Sequence, residues 1–346
     1  MIGRRTLMRW MAASLSCTVF AVGAAEEARL PAPRIHSIND RVHVLLGPVQ
    51  HPNPQNQGYM VNSTLIIGER GAILVDPGGS DEVGWHVAAA VLGITFKRVT
   101  HVINTHPHGD HYLGNTAFPG ARVLSSEACR KLVIERGHEW VAMMEEAVGR
   151  KLPATRPVAA HEAYPPGITG TSIQGVRMVF WVPPGSHTEG DMVVYLPDDK
   201  VLIGGDILVN GVVPTLQDGF LRNWIGTLDT MQTLDVERFV PGHGPLMKMG
   251  DVKALRESLA RFHAGVEAGY RKGLSEADIR KTLDLSAWEK LERPHVIGRN
   301  VNRAYLEVER ESFEEKEKEK EKLSRPSPPS PSPPSPTSPS PPERTH

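Results

Sequence analysis

The sequence predicts an α/β domain followed by a helical C-terminal region, and two patterns lead to this prediction. Short runs rich in Val, Ile and Leu occur together with helix-forming stretches, twice over, between residues 35 and 250. Beyond residue 250 the pattern is helical alone. Several apolar runs end in Asp, Gly or His, which is typical of loops that carry functional side chains at the edge of a sheet.

The first half of the domain is predicted to hold strands near residues 42–46, 63–68, 72–76, 99–104 and 122–124. A run of alanines favours a helix over 81–92. Ser125 or Ser126 can cap a further helix that runs towards Arg136, and a separate helix is expected over 139–150.

The second half is predicted to repeat this arrangement, with strands over residues 176–181, 192–196, 201–204 and 239–240. Asp198 and Asp199 predict a hairpin turn within this half, and a helix is expected over 223–234. Ser275 with Asp278 forms a capping pair in the C-terminal region. The helices predicted there cover residues 251–270, 275–283 and about 300–322.

Both ends of the chain differ in composition from its middle. Residues 1–25 combine a basic start, an apolar stretch and small residues, which predicts an export signal that is removed. The pair Arg4-Arg5 also fits a twin-arginine signal. Ser and Pro dominate the C-terminal end, which predicts a disordered, partly polyproline-like tail. The predicted division is a signal at 1–25, a core domain at 30–250, helices at 251–322 and the tail at 323–346.

The charge balance excludes some classes of partner. The chain has 39 Lys and Arg residues and 40 Asp and Glu residues, so its formal net charge is -1. No electrostatic case therefore exists for binding to nucleic acid or to an anionic membrane. Removal of the signal leaves one cysteine, Cys129, so no internal disulfide is expected. The sequence predicts a periplasmic or secreted protein without stable membrane insertion after cleavage, and it predicts no oligomeric state.

The segment 106–111, His-Pro-His-Gly-Asp-His, holds four potential metal ligands within six positions. Pro107 removes a backbone donor and Gly109 permits a tight turn, so the segment is predicted to be a loop rather than a helix. It follows the predicted strand at 99–104, which places it at a strand end. Because imidazole nitrogen and carboxylate oxygen are ligands of divalent zinc, the segment predicts a metal site.

Four further candidates lie where a predicted strand stops and a nearby glycine lets the backbone turn: Asp76, His187, Asp206 and His243. Loops at one edge of a sheet converge in space, so these distant positions can share one site. The other histidines, among them His51 and His295, lack such neighbours and are interpreted as ordinary surface or core residues.

The order and spacing of these motifs resemble the metallo-β-lactamase superfamily over roughly residues 35–250. The motifs are Thr-His-Pro-His-Gly-Asp-His at 105–111, then Gly-x-His at 185–187, Gly-Asp at 205–206 and Pro-Gly-His-Gly at 241–244. The resemblance implies a four-layer αββα sandwich with the metals at one edge and a C-terminal helical extension.

The resemblance also implies which residues hold metal. It assigns a first ion to His106, His108 and His187. It assigns a second ion to Asp110, His111 and His243. Asp206 would bridge the two ions, and Asp76 would orient the ligand loop. This set implies two Zn²⁺, with iron or manganese as the alternatives. An Asp at position 206, where the best-known secreted β-lactamases have Cys, resembles the hydroxyacylglutathione hydrolases.

The activity that the resemblance implies is hydrolysis of a carbonyl–heteroatom bond in a small molecule, such as a thioester, lactone or β-lactam. Two dications about 3.5–4 Å apart can share a water and lower its pKa to near 7, which makes a bridging hydroxide available as the nucleophile. Asp110 would steer that nucleophile and is the predicted catalytic residue. Residues 53–59 and 76–80 also resemble exported metallohydrolases associated with quinoprotein or sulfur-oxidation gene clusters.

Two alternatives stay open. Related sequences use His, His and Asp on a single iron as sulfur dioxygenases, and a non-catalytic periplasmic module could bind a metabolite. The complete second ligand set weighs against both. The walls of the pocket are predicted to come from the loops at 58–63, 153–171 and 211–223. The C-terminal helices can either cover the site or pack on the sandwich.

Overall fold

The computed structural model describes residues 30–324, with side chains described up to residue 320. The predicted export signal at 1–25 and nearly all of the predicted Pro/Ser-rich tail lie outside the described residues. Within the described part of the chain, no helix combines the length and the apolar character needed to cross a membrane.

Seven strands form the first sheet, in chain order from β1 to β7. They are β1 (Arg34–Ser37), β2 (Val42–Leu46), β3 (Ser63–Ile67), β4 (Ala72–Val75), β5 (Val99–Ile103), β6 (Arg122–Ser126) and β7 (Glu162–Tyr164). The first four strands are antiparallel neighbours, whereas β4 to β7 run parallel to one another.

Five strands form the second sheet, in the order β12-β11-β10-β9-β8. They are β8 (Gly167–Ile173), β9 (Val176–Val182), β10 (Val193–Leu196), β11 (Val201–Val209) and β12 (Arg238–His243). Only the pair β11–β12 is parallel among these five.

The helices of the described chain are α1 (Asp81–Ile94), α2 (Gly109–Tyr112), α3 (Glu127–Val148), α4 (Leu221–Met231), α5 (Met249–Arg271), α6 (Glu276–Thr282) and α7 (Ile297–Ser324). Side-chain oxygens of Ser80, Ser126 and Ser275 accept a backbone N–H at the start of α1, α3 and α6, as expected for serine caps.

Alternation of side chains along the strands produces the layers. In β4, Ile73 and Val75 face the second sheet and pack in one cluster with Phe180 of β9. Leu74 lies between them in sequence and points the other way, into a cluster with Val87 of α1. The first sheet is therefore covered by the second sheet on one face and by helix on the other.

The outer face of the second sheet is covered by the later helices. Leu202 of β11 packs in one cluster with Trp224 of α4, Leu259 of α5 and Val301 of α7. The order of layers is helix, sheet, sheet, helix, with the C-terminal helices added to the last layer. The predicted four-layer αββα sandwich is confirmed.

Three local predictions were wrong. The stretch from residue 127 to 148 is one helix instead of two. Gly137, which lies between the two predicted ranges, is inside this helix, and its lack of a side chain allows a close contact with Pro157, where a Cβ atom would overlap the proline ring. The helix ends instead at Gly149, which has a left-handed φ of 72°.

The segment 106–111 is not entirely a loop, since Gly109–Tyr112 forms one helical turn. Pro107 lies ahead of this turn, so its missing N–H removes no helical hydrogen bond. The third error concerns the segment 153–171, which was predicted as loop but contains β7 and the first part of β8. The side chains of β8 are mostly exposed and rich in Gly and Thr, because β8 is an edge strand, so the apolar pattern of a buried strand is absent.

Candidate metal centre

The candidate metal centre lies at one edge of the sandwich, where both sheets deliver side chains. The segment between β5 and α2 carries His106 and His108, and α2 itself carries Asp110 and His111. In the second sheet, the β9–β10 connection carries His187, β11 carries Asp206 and β12 ends at His243. The two halves of the chain therefore meet at this edge.

Asp206 lies within β11 and not beyond its end as predicted. The strand continues to Val209, and its pairing with β12 shifts register on both sides of Gly205. Gly205 has a φ of 52°, and a Cβ atom there would overlap the Thr105 hydroxyl. This β-bulge lets a side chain inside a strand point into the site.

The seven side chains form two adjoining groups. Within each group, one ligand atom per residue lies within 4.8 Å of the others; the groups are His106, His108, His187 and Asp206, and Asp110, His111 and His243. Asp206 lies between the groups, since its Oδ1 is 3.3 Å from His111 Nε2 and its Oδ2 is 3.3 Å from His243 Nε2. Its Oδ2 is also 3.6 Å from His187 Nε2.

Four of these ligand atoms are buried without a hydrogen-bond partner: His106 Nε2, His111 Nε2, Asp206 Oδ1 and His243 Nε2. Each unsatisfied buried polar atom costs about 1–3 kcal/mol, so four of them at one point require an explanation. A cation that accepts their lone pairs supplies it. The donor set of imidazole nitrogens and carboxylate oxygens fits zinc.

The other nitrogen of each imidazole is held by the surrounding chain. His111 Nδ1 donates to Asp76 Oδ2 at 2.9 Å, His187 Nδ1 donates to Thr215 O at 3.1 Å, and His243 Nδ1 donates to Met60 O at 3.1 Å. A carbonyl or carboxylate can only accept, so each of these bonds fixes the tautomer and leaves the opposite nitrogen free to ligate.

His108 is held in the reverse orientation. Its Nε2 lies 3.1 Å from Asp218 Oδ2, and its Nδ1 faces His187 Nε2 at 3.0 Å. Two imidazole nitrogens that face each other at this distance can share one cation. Trp140 lies against His108, with ring centroids 4.8 Å apart, and limits the movement of this ligand.

Asp76 organises the ligand segment. One carboxylate oxygen accepts the backbone N–H of Thr105 at 2.8 Å, and the other accepts the Thr105 hydroxyl at 2.7 Å and His111 Nδ1. The Thr105 hydroxyl in turn lies 3.0 Å from His106 Nδ1. A single buried carboxylate therefore contacts one candidate ligand directly and a second one through the Thr105 hydroxyl.

The protonation of the site follows from burial and mutual charge. Burial and the neighbouring His108 lower the pKa of His187 to about 3. Burial opposes the charge of Asp206, but the imidazoles of His243 and His111 outweigh it and hold the pKa of this carboxyl well below its usual range. Asp206 acts in the opposite direction on His111 and His243, and it raises the pKa of both imidazoles against the effect of burial. Neutral imidazole and ionised carboxylate are the forms that ligate a metal, so a bound cation would displace protons from these two histidines.

A cavity of about 230 Å³ opens onto the candidate ligands. Met60 and the segment Thr215, Gln217 and Asp218 line it, as predicted for the loops at 58–63 and 211–223. No lining residue comes from 153–171. Part of the rest of the wall was not predicted: Trp140, Met143, Met144 and Ala147 from α3, and His51 and Pro52. The C-terminal region, for which covering the site and packing on the sandwich were both open, does both: Arg293, Val296 and Arg299 line the cavity, and Val301 packs on the second sheet.

Similarity to known proteins agrees with this geometry. The model of the metallo-beta-lactamase superfamily matches residues 56–243. A linear primary-alkylsulfatase of Pseudomonas sp. (strain ATCC 19151) is 24% identical over 274 residues, which is 68% of this chain and 50% of that protein. The chain thus spans about half the length of the alkylsulfatase. A metallo-beta-lactamase type 2 of Bacillus sp. (strain 170) is 25% identical over 63% of this chain and 77% of its own.

Solved structures show the same fold. A metallo-beta-lactamase from Pontibacter korlensis superposes with a TM-score of 0.54 at 21% identity, over 66% of this chain and 99% of its own. A sec-alkylsulfatase from Pseudomonas sp. superposes with a TM-score of 0.62 at 16% identity, over 79% of this chain and 50% of its own. The family match, the sandwich and the His/Asp cluster at its edge agree, and the chain belongs to the metallo-beta-lactamase superfamily.

Proposed function

We propose that this protein is a hydrolase that holds two zinc ions and cleaves a carbonyl–heteroatom bond in a small molecule, such as a thioester, lactone or β-lactam. The observation that supports this most strongly is the meeting of seven candidate ligands, four of them with a buried atom that lacks a partner. His106, His108 and His187 would hold the first ion, and Asp110, His111 and His243 the second. Asp206 would contact both.

Bound together, two divalent cations would lower the pKa of a water between them and polarise the bond to be cleaved. Asp110 is the residue of the chain best placed to handle the proton of that water. It lines the cavity, and its Oδ2 is 3.3 Å from His243 Nε2. Burial opposes its ionisation, but the imidazoles of His111 and His243 outweigh burial and lower its pKa below the ordinary range. An ionised carboxylate at the cavity can orient a water and accept its proton.

The similarity to a linear primary-alkylsulfatase adds sulfate esters as a second candidate substrate class. The bond that breaks would then join oxygen to carbon or sulfur, and the same ligand set would serve. A sulfur dioxygenase remains the alternative that uses one iron and consumes oxygen.

Elemental analysis combined with a substrate panel tests the proposal. We expect two zinc ions per chain, turnover of at least one among a thioester, a lactone, a β-lactam and an alkyl sulfate, and no oxygen uptake. One iron per chain together with oxygen consumption would contradict the hydrolase and support the dioxygenase. Full metal loading with no turnover across the panel would favour a binding module.

We also propose that the chain is exported to the periplasm or secreted, on the composition of residues 1–25. Expression of the full chain followed by cell fractionation and intact-mass measurement tests this. Export with cleavage near residue 25 is expected. An uncut chain that stays in the cytoplasmic fraction would contradict it.

A further inference from the structure

The cavity above the candidate ligands has two unlike walls. One wall is apolar and comes mainly from α3, with Trp140, Met143 and Met144. The other wall is cationic and comes from the C-terminal region, with Arg293 and Arg299. This second wall lies outside the segment 56–243 that matches the family model.

Arg293 is an unusual residue at this place because its charge is buried. The residue is 9% exposed, and its Nε is buried without a hydrogen-bond partner. One Nη donates to Gln50 O at 3.1 Å and lies 3.3 Å from His243 Nδ1. None of the ion pairs among the described residues involves Arg293. A buried cation without an anion is costly, so this guanidinium is poised for an anionic partner.

The backbone at Arg293 supports the same interpretation. Arg293 has a φ of 64°, which is strained for a residue with a side chain. The preceding Glu292 is fixed by backbone hydrogen bonds from Val213 N at 2.9 Å and to Gly211 O at 3.1 Å. The backbone therefore keeps a strained conformation at a residue that lines the cavity.

The carboxylates that also line the cavity do not neutralise this wall. Asp110 and Asp206 belong to the candidate ligand groups, and Asp218 lies against His108 at 3.1 Å. His51 adds no charge at neutral pH, because burial and the charge of Arg293 lower its pKa to about 4. The cationic wall therefore consists of the two arginines.

A guanidinium is charged at every accessible pH, and its planar N–H fork matches carboxylate, sulfate and phosphate. Arg299 is more exposed and lies further along the same wall, where its Nη1 donates to Gln217 Oε1 at 3.4 Å. We infer that the substrate of the proposed hydrolase carries an anionic group bound by Arg293, with an apolar body against Trp140, Met143 and Met144. The inference that the bound anion is a substrate rests on the proposed function. The inference that an anion binds here rests on the positions of the side chains alone.

Calorimetric titration of the zinc-loaded full chain tests the inference without requiring turnover. The probes are hexanoate, hexyl sulfate and the neutral 1-hexanol, which share one apolar body. We expect both anions to bind at least tenfold more tightly than hexanol. Equal binding of hexanol and the anions would overturn the inference. A preference for one anion over the other identifies the headgroup.

Two variants then assign the binding to the cationic wall. Arg293→Gln should weaken anion binding at least tenfold and leave hexanol unchanged, whereas Arg293→Lys should retain part of it. Zinc content is measured for each variant, because Arg293 lies close to His243. Anion affinity within twofold of the wild type in a zinc-loaded Arg293→Gln variant would overturn the inference, since the anion would then bind the metals alone.

Arg299→Gln is the second test, and it also applies where Arg293→Gln fails to fold or to load zinc. It lies at the exposed end of the wall, so we expect a two- to fivefold loss of anion affinity with full zinc content. No loss there, combined with equal binding of the three probes to the wild type, contradicts the inference. Arginine-dependent anion binding in a protein that hydrolyses nothing would instead refute the proposed function and leave the binding site standing.

Discussion

The floor and the wall of the cavity are built in different ways. The floor is the candidate metal centre, and four of its seven candidate ligands line the cavity: His108, Asp110, His187 and Asp206. The seven ligands come from short motifs between residues 106 and 243 and are held by buried partners such as Asp76. The wall consists of side chains from α3 and from the segment around Arg293, with no shared motif. If the proposed hydrolase is correct, the comparison teaches that its chemistry and its choice of substrate depend on separate parts of the chain.

The largest effect is expected at the floor. Asp110→Ala should lower hydrolysis by about 10³-fold or more, because it removes both a candidate ligand of the second ion and the carboxylate that faces the cavity. Turnover is measured on the best substrate of the panel, with circular dichroism as the control for folding. Wild-type turnover with unchanged metal content would show that Asp110 has neither role.

Asp76→Ala tests the support beneath the floor. It removes the carboxylate that accepts hydrogen bonds from Thr105 and His111, so metal affinity should fall by roughly 10–100-fold. Competition with a chromogenic zinc chelator measures this. Asp81→Ala is a matched control, because Asp81 is also buried but pairs with Thr155. Equal metal affinity of Asp76→Ala and the wild type would remove Asp76 from the site.

Gly205→Ala tests the bulge that directs Asp206 into the floor. The added Cβ would overlap the Thr105 hydroxyl, and position 205 has a positive φ that disfavours a side chain. The free energy of unfolding should therefore fall by about 2–3 kcal/mol, and the zinc content should fall as well. Denaturant unfolding and elemental analysis measure the two effects. Gly226→Ala, on α4 with open space around the new methyl, is the control and should be neutral or slightly stabilising. Identical behaviour of the two variants would contradict the role of the bulge.

A substitution in the wall tests whether the wall and the floor act independently. Met143→Ala removes an apolar side chain that is 48% exposed, lines the cavity and belongs to neither candidate ligand group. We expect KM to rise by about two- to tenfold while kcat and zinc content stay close to the wild type, because lost uniform binding appears in KM alone. A fall in kcat without a change in KM would mean that wall and floor are not independent.

The smallest effect concerns the pH dependence of stability. Burial and nearby cations lower the pKa of His51 from 6.5 to about 4, so between these values the unfolded chain binds a proton that the folded chain does not. Stability from this residue is complete above pH 6.5 and is lost as the pH falls towards 4. After allowance for solvent screening the loss is on the order of 1 kcal/mol. Denaturant unfolding of zinc-free wild type and His51→Gln at pH 7 and pH 5 measures it, and parallel pH dependence would exclude the effect.

The floor could be predicted from the sequence because its information is local. Three histidines and an aspartate within six positions, and glycine beside His243, are visible without knowledge of the fold. The layers were predictable for a related reason, since strands such as β2 and β4 are short apolar runs between turn residues. The role of each ligand as a metal-binding residue stays a prediction.

The wall could not be predicted, because it depends on how distant segments pack. Trp140 and Met143 lie on a helix whose sequence resembles any amphipathic surface helix, and Arg293 follows no motif. His51 was interpreted as ordinary, although it lines the cavity. Its Nε2 also lies 2.6 Å from that of His295. The bulge at Gly205 was not predicted for the same reason, because the pairing of β11 with β12 depends on residues that are distant in the sequence.

Each of the two ligand groups takes residues from both sheets, and this has a consequence for assembly of the protein. His106 and His108 follow β5, whereas His187 and Asp206 come from the second half, and the second group is divided in the same manner. Neither half of the chain holds all the members of either ligand group. A cation would therefore fasten the two halves together, and its binding energy would add to the stability of the joined state. Loss of the metal would thus weaken the association between the two halves of the chain as well as abolish the activity of the site.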